Sequence, residues 1–215
     1  MNLIVFTKRV PATQEEELRI TGEGKAVDLS KVPFKVNDWD NYSVEEAVRI
    51  VEKTGGAVTA ISIGDAESDE VLRRAIAMGA KDGFLIETGD VLHDPGARAT
   101  LIQNFLKKES VPFDAIFTGV QSEDYQFGAV GGILAAKLGL PFVSMVIRID
   151  AFESDHVIVR RELEGGLQER VKVMLPCVIS IQTGINEPRY VSLWGSGRPQ
   201  KLSGRSSRQQ IIRKT

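Results

Sequence analysis

The segment from Gly119 to Gly132, Gly-Val-Gln-Ser-Glu-Asp-Tyr-Gln-Phe-Gly-Ala-Val-Gly-Gly, holds the residues best suited to chemistry in this chain. It joins an apolar run, Ala115-Ile116-Phe117-Thr118, to a run from Ala129 to Leu138 with helical spacing. At a strand-to-helix junction, free backbone N–H groups and the positive end of the helix dipole converge, which suits an anionic ligand. The loop therefore reads as a ligand site. Glu123 and Asp124 are adjacent carboxylates, but no nucleophile or metal-ligand set accompanies them, so acid–base catalysis is not expected. On an exposed loop both acids are expected to face solvent. One cysteine, Cys177, and two well-separated histidines, His93 and His156, are too few for a zinc site or a disulfide. Cys177, between Pro176 and an apolar strand, reads as a buried, inert thiol. The expectation is a binding protein with no catalytic residue and no metal.

The elements that position this loop alternate. Leu3–Phe6 is a first strand, and Leu18–Ile20 and Ala26–Leu29 flank a hairpin turn at Gly22-Glu23-Gly24. Val44, Ala47, Val48 and Val51 recur at helical spacing, and Thr54-Gly55-Gly56 ends that helix. Ala57–Ile63 follows as a buried strand. Ser68 to Met78 is a helix that stops at Gly79, and Phe84–Ile86 is a strand. Asp94 caps a helix over Pro95 to Lys108, and Phe142–Ile147 is a strand after the loop and its helix. This β-α-β-α-β-α-β-α-β order predicts an α/β fold: a five-stranded, mainly parallel sheet flanked by helices, Rossmann-like in class. Val157–Arg161 and Arg170–Met174 then form an antiparallel hairpin around Glu164-Gly165-Gly166, and Val178–Ile181 is a last strand.

Composition bounds the function. The 215 residues suffice for one large domain and an arm, with 42% hydrophobic and 26% charged residues. A net charge of -2 gives no reason to expect nucleic acid as a partner. No apolar run reaches the length of a membrane span, which takes about 20 residues. Met1 to Lys8 lacks a basic start and a cleavage site and reads as a strand, so a cytoplasmic setting is expected. Residues 1–194 form the expected α/β domain. Residues 195–215 carry Arg198, Lys201, Arg205, Arg208, Arg213 and Lys214 without an acid, and read as a basic, flexible arm.

Six segments, in order, carry a resemblance. They are Lys8-Arg9-Val10; Asn37-x-x-Asp40 with Val44-Glu45-Glu46-Ala47; Leu72 to Ala80; Gly119-x-Gln121 with Gly128 opening a helix; Arg161-Glu162-x-Glu164-Gly165-Gly166; and Ile185-Asn186-Glu187-Pro188-Arg189-Tyr190. Together they resemble the β subunit of electron-transfer flavoprotein over residues 1–193. The resemblance implies an adenine-nucleotide-hydrolase-like core and an electron carrier without bond-making chemistry of its own. It also implies a heterodimer with an α subunit that carries the redox FAD, and docking to a flavin dehydrogenase or other redox protein. In this family the β subunit binds AMP, or FAD in bifurcating members. The region Asp90 to Pro95 departs from the bifurcating pattern, which favours AMP.

Carried over by position, the resemblance puts nucleotide contacts at Phe6, Thr7, Asn37, Asp40, Ile63, Gly64, Gly119, Gln121, Gln126, Phe127, Gly128, Ala129 and Val130. Family members place a Thr or Asn before the helix-opening glycine. Here Tyr125 and Phe127 stand in that stretch, leaving Gln126 and the backbone N–H groups of residues 127–130 for phosphate. Helix capping is the competing role for Asn37 and Asp40. Partner docking falls to Glu187, Arg189, Tyr190, Leu193 and Trp194, although Trp194-Gly195-Ser196-Gly197 departs from the family's continuation. The alternatives are a stand-alone adenine-nucleotide-binding or sensing module on this fold, and a paralogue that has lost its nucleotide.

Overall fold

The computed structural model describes residues 1–14, 17–88 and 94–191. The basic arm, Leu193, Trp194 and His93 lie outside the described residues. Eight strands make one sheet: β1 (Asn2–Phe6), β2 (Ala57–Gly64), β3 (Asp82–Glu87), β4 (Ala115–Gly119), β5 (Phe142–Phe152), β6 (His156–Glu162), β7 (Gln168–Met174) and β8 (Cys177–Ile181). Their order across the sheet is β7-β6-β5-β8-β4-β1-β2-β3. The run from β5 to β3 is parallel, and β6 and β7 add antiparallel strands at one end.

The mainly parallel α/β class read from the sequence holds. The sheet exceeds the five strands expected because β8 inserts between β4 and β5, and the hairpin continues the same sheet. The central strands alternate their two faces between two apolar layers, while the antiparallel strands β6 and β7 bury one face only. On one face Leu3, Val5 and Phe117 pack with Val44, Ala47 and Val48 of α1 (Asp38–Thr54) and with Leu72, Ala75 and Met78 of α2 (Asp69–Met78). On the other, Ile4, Ile61, Ile116 and Val178 meet Ala99, Ile102 and Leu106 of α3 (Pro95–Glu109) and Leu134 and Ala135 of α4 (Val130–Leu138).

The helix ends follow local chemistry. Asp94 accepts from the Ala97 N–H at 2.5 Å, and Pro95 occupies the first turn of α3, where its missing N–H costs nothing. Gly79 closes α2 at a φ of 123°, open to glycine but not to a side-chain-bearing residue. Ser68 makes no side-chain cap to α2; the Asp65 carboxylate instead accepts from the Ser68 N–H and caps a short 3-10 turn before it. The hairpin of residues 19–28 is present as a two-stranded ladder outside the main sheet. Cys177 is fully buried, and burial pushes its thiol up to about 12, so it stays protonated.

Candidate functional site at the carboxyl ends of β1 and β4

β1 has β2 on one side and β4 on the other, so the chains leaving the carboxyl ends of β1 and β4 diverge. Such a topological switch point opens a crevice. Here it is a cleft of about 110 Å³. The end of β1 contributes Phe6, Thr7 and Lys8; α1 contributes Asn37 and Asp40; β2 contributes Ile61 and Ile63; and α3 contributes Pro95, Arg98 and Ile102. The segment from Thr118 to Gly131 supplies the remaining wall.

Of the residues singled out from sequence, Phe6, Thr7, Asn37, Asp40, Ile63, Gly119, Gln121, Phe127, Gly128, Ala129 and Val130 line this cleft. Gly64 and Gln126 do not. A Cβ on Gly64 would stand 2.3 Å from the Ser68 hydroxyl, so this glycine serves close packing. Gln126 is exposed, and its amide faces the Glu123 carbonyl at 3.5 Å. Lys8, Thr118, Tyr125 and Arg98 line the cleft without having been singled out for it. Lys8 directly follows a predicted strand end, and Thr118 is the one polar residue of an apolar strand. Arg98 lies in the first turn of a helix whose Asp94-Pro95 start was legible.

Asn37 is not a side-chain helix cap. Its Nδ2 donates to the Gln121 carbonyl at 2.9 Å, and its Oδ1 accepts from the Glu123 N–H at 3.0 Å. Buried at 1% exposure, it ties the loop to the start of α1. Asp40 is buried beside it. Burial raises its pKa to about 7, against the pull of the Asn37 amide, the Lys8 N–H at 2.8 Å, the Lys8 charge and the Gly119 N–H.

The loop acids do not face solvent as expected. Asp124 takes the Lys8 ammonium at 2.5 Å, and Glu123 takes Lys35 at 3.1 Å. Their side chains are only 15% and 18% exposed. Two lysines distant in sequence explain the difference: paired charges avoid the cost of desolvation that would drive lone ones outward. Burial lowers the pKa of Lys8, partly offset by Asp124. Burial alone would raise Asp124, but the bonds from Lys8 and Ser122 hold it below its ordinary range. Lys8 also lies 4.6 Å from the Tyr125 ring centroid, and Tyr125 stacks on Phe127 at 6.1 Å.

Three features favour a polar, anionic ligand. The hydroxyls of Thr7 and Thr118 are buried without a hydrogen-bond partner. The N-terminus of α4 has no side-chain cap. Lys8 and Arg98 bring positive charge to the same cleft. Among the described residues no cluster of three or more His, Cys, Asp or Glu could hold a metal ion, and no helix is long and apolar enough to cross a membrane.

The segment from Asn186 to Tyr190 lies along α1. Asn186 donates to the Tyr42 carbonyl and to Glu46, and Arg189 pairs with Glu45 and Glu52. Glu187 is exposed and its carbonyl accepts from Arg49, while Tyr190 is 92% exposed. Of the predicted docking residues, then, Glu187 and Tyr190 face outward and Arg189 is engaged within the chain.

A sequence profile of the electron transfer flavoprotein domain matches residues 25–210. The chain is 34% identical over 199 residues to electron transfer flavoprotein subunit beta of Methylophilus methylotrophus, covering 91% of this chain and 74% of that protein. It is 36% identical over 196 residues to the protein of the same name from Thermoanaerobacterium thermosaccharolyticum, covering 91% and 73%. Protein FixA of Azotobacter vinelandii is 30% identical over 201 residues, covering 90% and 69%. With the profile spanning most of its length and relatives matched over most of theirs, the chain belongs to the electron transfer flavoprotein family, as a β-type subunit.

Proposed function

We propose that this β-type subunit works in a heterodimer with an α-type subunit carrying the redox FAD, in the cytoplasm, and passes electrons between a flavin dehydrogenase and an acceptor without bond-making chemistry of its own. In this reading the cleft between β1 and β4 holds an adenine nucleotide as a structural cofactor. The observation that carries the nucleotide reading is the convergence, at a topological switch point, of two buried unpartnered hydroxyls, Thr7 and Thr118, with an uncapped helix N-terminus. The apolar walls from Ile61, Ile63 and Ile102 suit a base, and Lys8 and Arg98 suit a phosphate dianion. AMP is preferred to FAD because the region from Asp90 to Pro95 departs from the bifurcating pattern. Nucleotide contacts are proposed for the eleven predicted residues that line the cleft, joined by Lys8, Arg98 and Thr118. Glu187, Tyr190, Leu193 and Trp194 are proposed to dock redox partners, and the arm of residues 195–215 to hold the α-type subunit.

The test is purification from the native host. A yellow second subunit should co-purify, and heat denaturation followed by mass spectrometry should release AMP. Released FAD would move the chain to the bifurcating type. No nucleotide, with the partner still present, would make it a paralogue that has lost its ligand. A colourless protein complete on its own would make it a stand-alone module.

A further inference from the structure

The exposed rim of the cleft carries two aromatic rings that fill no core. Tyr125 and Phe127 both line the cleft, yet they stay 37% and 59% exposed. Their rings stack, 7° from parallel, with centroids 6.1 Å apart. Gln126, between them, adopts a left-handed φ of 54°. That conformation costs a residue with a side chain, so the turn that stacks the two rings is held against local preference. The stem of the loop holds it. Asn37 bonds Gln121 and Glu123, Lys35 pairs with Glu123, and Lys8 pairs with Asp124 while lying over the Tyr125 ring. The two rings are therefore a fixed platform at the rim.

The floor of the cleft is different in kind. The Thr7 and Thr118 hydroxyls are buried there without a partner. The Thr118 Oγ1 lies 2.8 Å from where a Cβ on Gly131 would stand, so it faces the first turn of α4. An anionic group belongs at that floor. The enclosed volume of about 110 Å³ is below the roughly 300–1,000 Å³ of a site that swallows a whole drug-sized ligand. A nucleotide with its phosphate on the floor therefore keeps its base at the rim, where the rings are. The Phe127 ring has no donor to offer a phosphate, but its face suits a planar base. A protein surface is the other cover for exposed aromatics, but these two rings are walls of the cleft that holds the unpartnered hydroxyls.

We infer that Phe127, backed by Tyr125, is the stacking platform for the base of the bound nucleotide, an inference that rests on the nucleotide reading. The rings then determine specificity: they select a ligand with a planar aromatic group over a sugar phosphate of equal charge. The experiment is titration calorimetry on nucleotide-stripped heterodimer with two probes, AMP and ribose 5-phosphate, which lacks the base. Wild type should bind AMP at least tenfold more tightly than ribose 5-phosphate. Phe127→Ala should weaken AMP about tenfold and leave ribose 5-phosphate unchanged, and Phe127→Trp should restore AMP binding. Leu167→Ala, at a 66% exposed apolar site on the β6–β7 turn, should match the wild type. Phe127 is itself largely exposed, so its truncation leaves no core cavity, and circular dichroism checks the fold.

Unchanged AMP affinity in Phe127→Ala would overturn the platform and leave the nucleotide reading standing. Equal losses for AMP and ribose 5-phosphate would mean that the ring only supports the loop, and would also overturn it. A heterodimer that loosens in Phe127→Ala while AMP affinity holds would give the rings to a protein interface instead. Failure of wild type to bind AMP or any other nucleotide would sink both readings.

Discussion

The Arg189 guanidinium meets the Glu45 carboxylate at 2.8 Å, across 144 residues of sequence. Glu45 is 2% exposed, and its second oxygen takes Arg49 at 2.6 Å. Burial alone would raise its pKa, but the bonds from Arg189 and Arg49 outweigh burial and hold it below the ordinary range. The clasp fixes the chain just before Leu193 and Trp194. Arg189→Ala leaves a buried carboxylate with one exposed partner and should cost about 2–4 kcal/mol in urea denaturation. Glu45→Gln with Arg189→Ala should recover part of that loss. A double variant no better than Arg189→Ala would show that packing of the arginine stem, not the charge, carries the clasp.

Asp40 predicts a pH dependence of opposite sense. Its ordinary pKa of 3.8 rises to about 7 in the fold. Between those values the folded state binds the proton that the unfolded chain has lost. Stability from this group is therefore greatest at low pH, falls as pH rises through the window and is flat above it, with a ceiling of roughly 4 kcal/mol. Glu45, depressed in the fold, loses stability only as pH falls below its unfolded value of 4.5, so the two are separable. Asp40→Asn should flatten denaturation midpoints measured from about pH 5 to pH 8. Identical slopes in the two proteins would mean that Asp40 titrates normally.

The contrast between Asp40 and Lys8 shows how far sequence reaches. The strand–helix order, the stop at Gly79 and the loop between β4 and α4 are local signals, and periodicity and turn chemistry carry them. Asn37 and Asp40 were legible only through family resemblance, and their capping role was not the one the fold uses. The pairing of Asp124 with Lys8 spans 116 residues. It arises because β4 lies beside β1 in the sheet, and strand order is written in no local pattern. Arg98 enters the cleft for the same reason: α3 and α4 pack on one face of the sheet. The Thr118 hydroxyl gave no signal within an apolar strand until its lack of a partner was visible.

The Lys8–Asp124 pair also sets an expectation for ligand affinity. A phosphate entering the cleft competes with Asp124 for the Lys8 ammonium. Removing the competitor should help. Asp124→Asn is expected to tighten AMP binding several-fold by titration calorimetry on nucleotide-stripped heterodimer. Lys8→Met should weaken it by about tenfold or more, the loss of one charge-assisted hydrogen bond. Adenosine, with no phosphate, should bind both variants as it binds the wild type. Equal losses for AMP and adenosine in Lys8→Met would place the ammonium at the base or the ribose.

Gly119 is where the loop and α1 come closest. A Cβ there would stand 2.6 Å from the Asp40 carboxylate and 2.6 Å from the Trp39 Cβ. The second of these neighbours is fixed to the helix backbone and cannot swing aside. Gly119→Ala must push α1 away from β4, which also disturbs the Asn37 bonds to Gln121 and Glu123. The expected cost is about 1–3 kcal/mol from overpacking, with weaker nucleotide retention. Gly22, with nothing within 4 Å of its Cβ position, is the control. Gly22→Ala should stay within about 0.5 kcal/mol of wild type. If Gly119→Ala were as mild as the control, the loop would have to shift without strain. The close seat of β4 against α1 would then not be what positions Asp40 and Asn37 at the cleft.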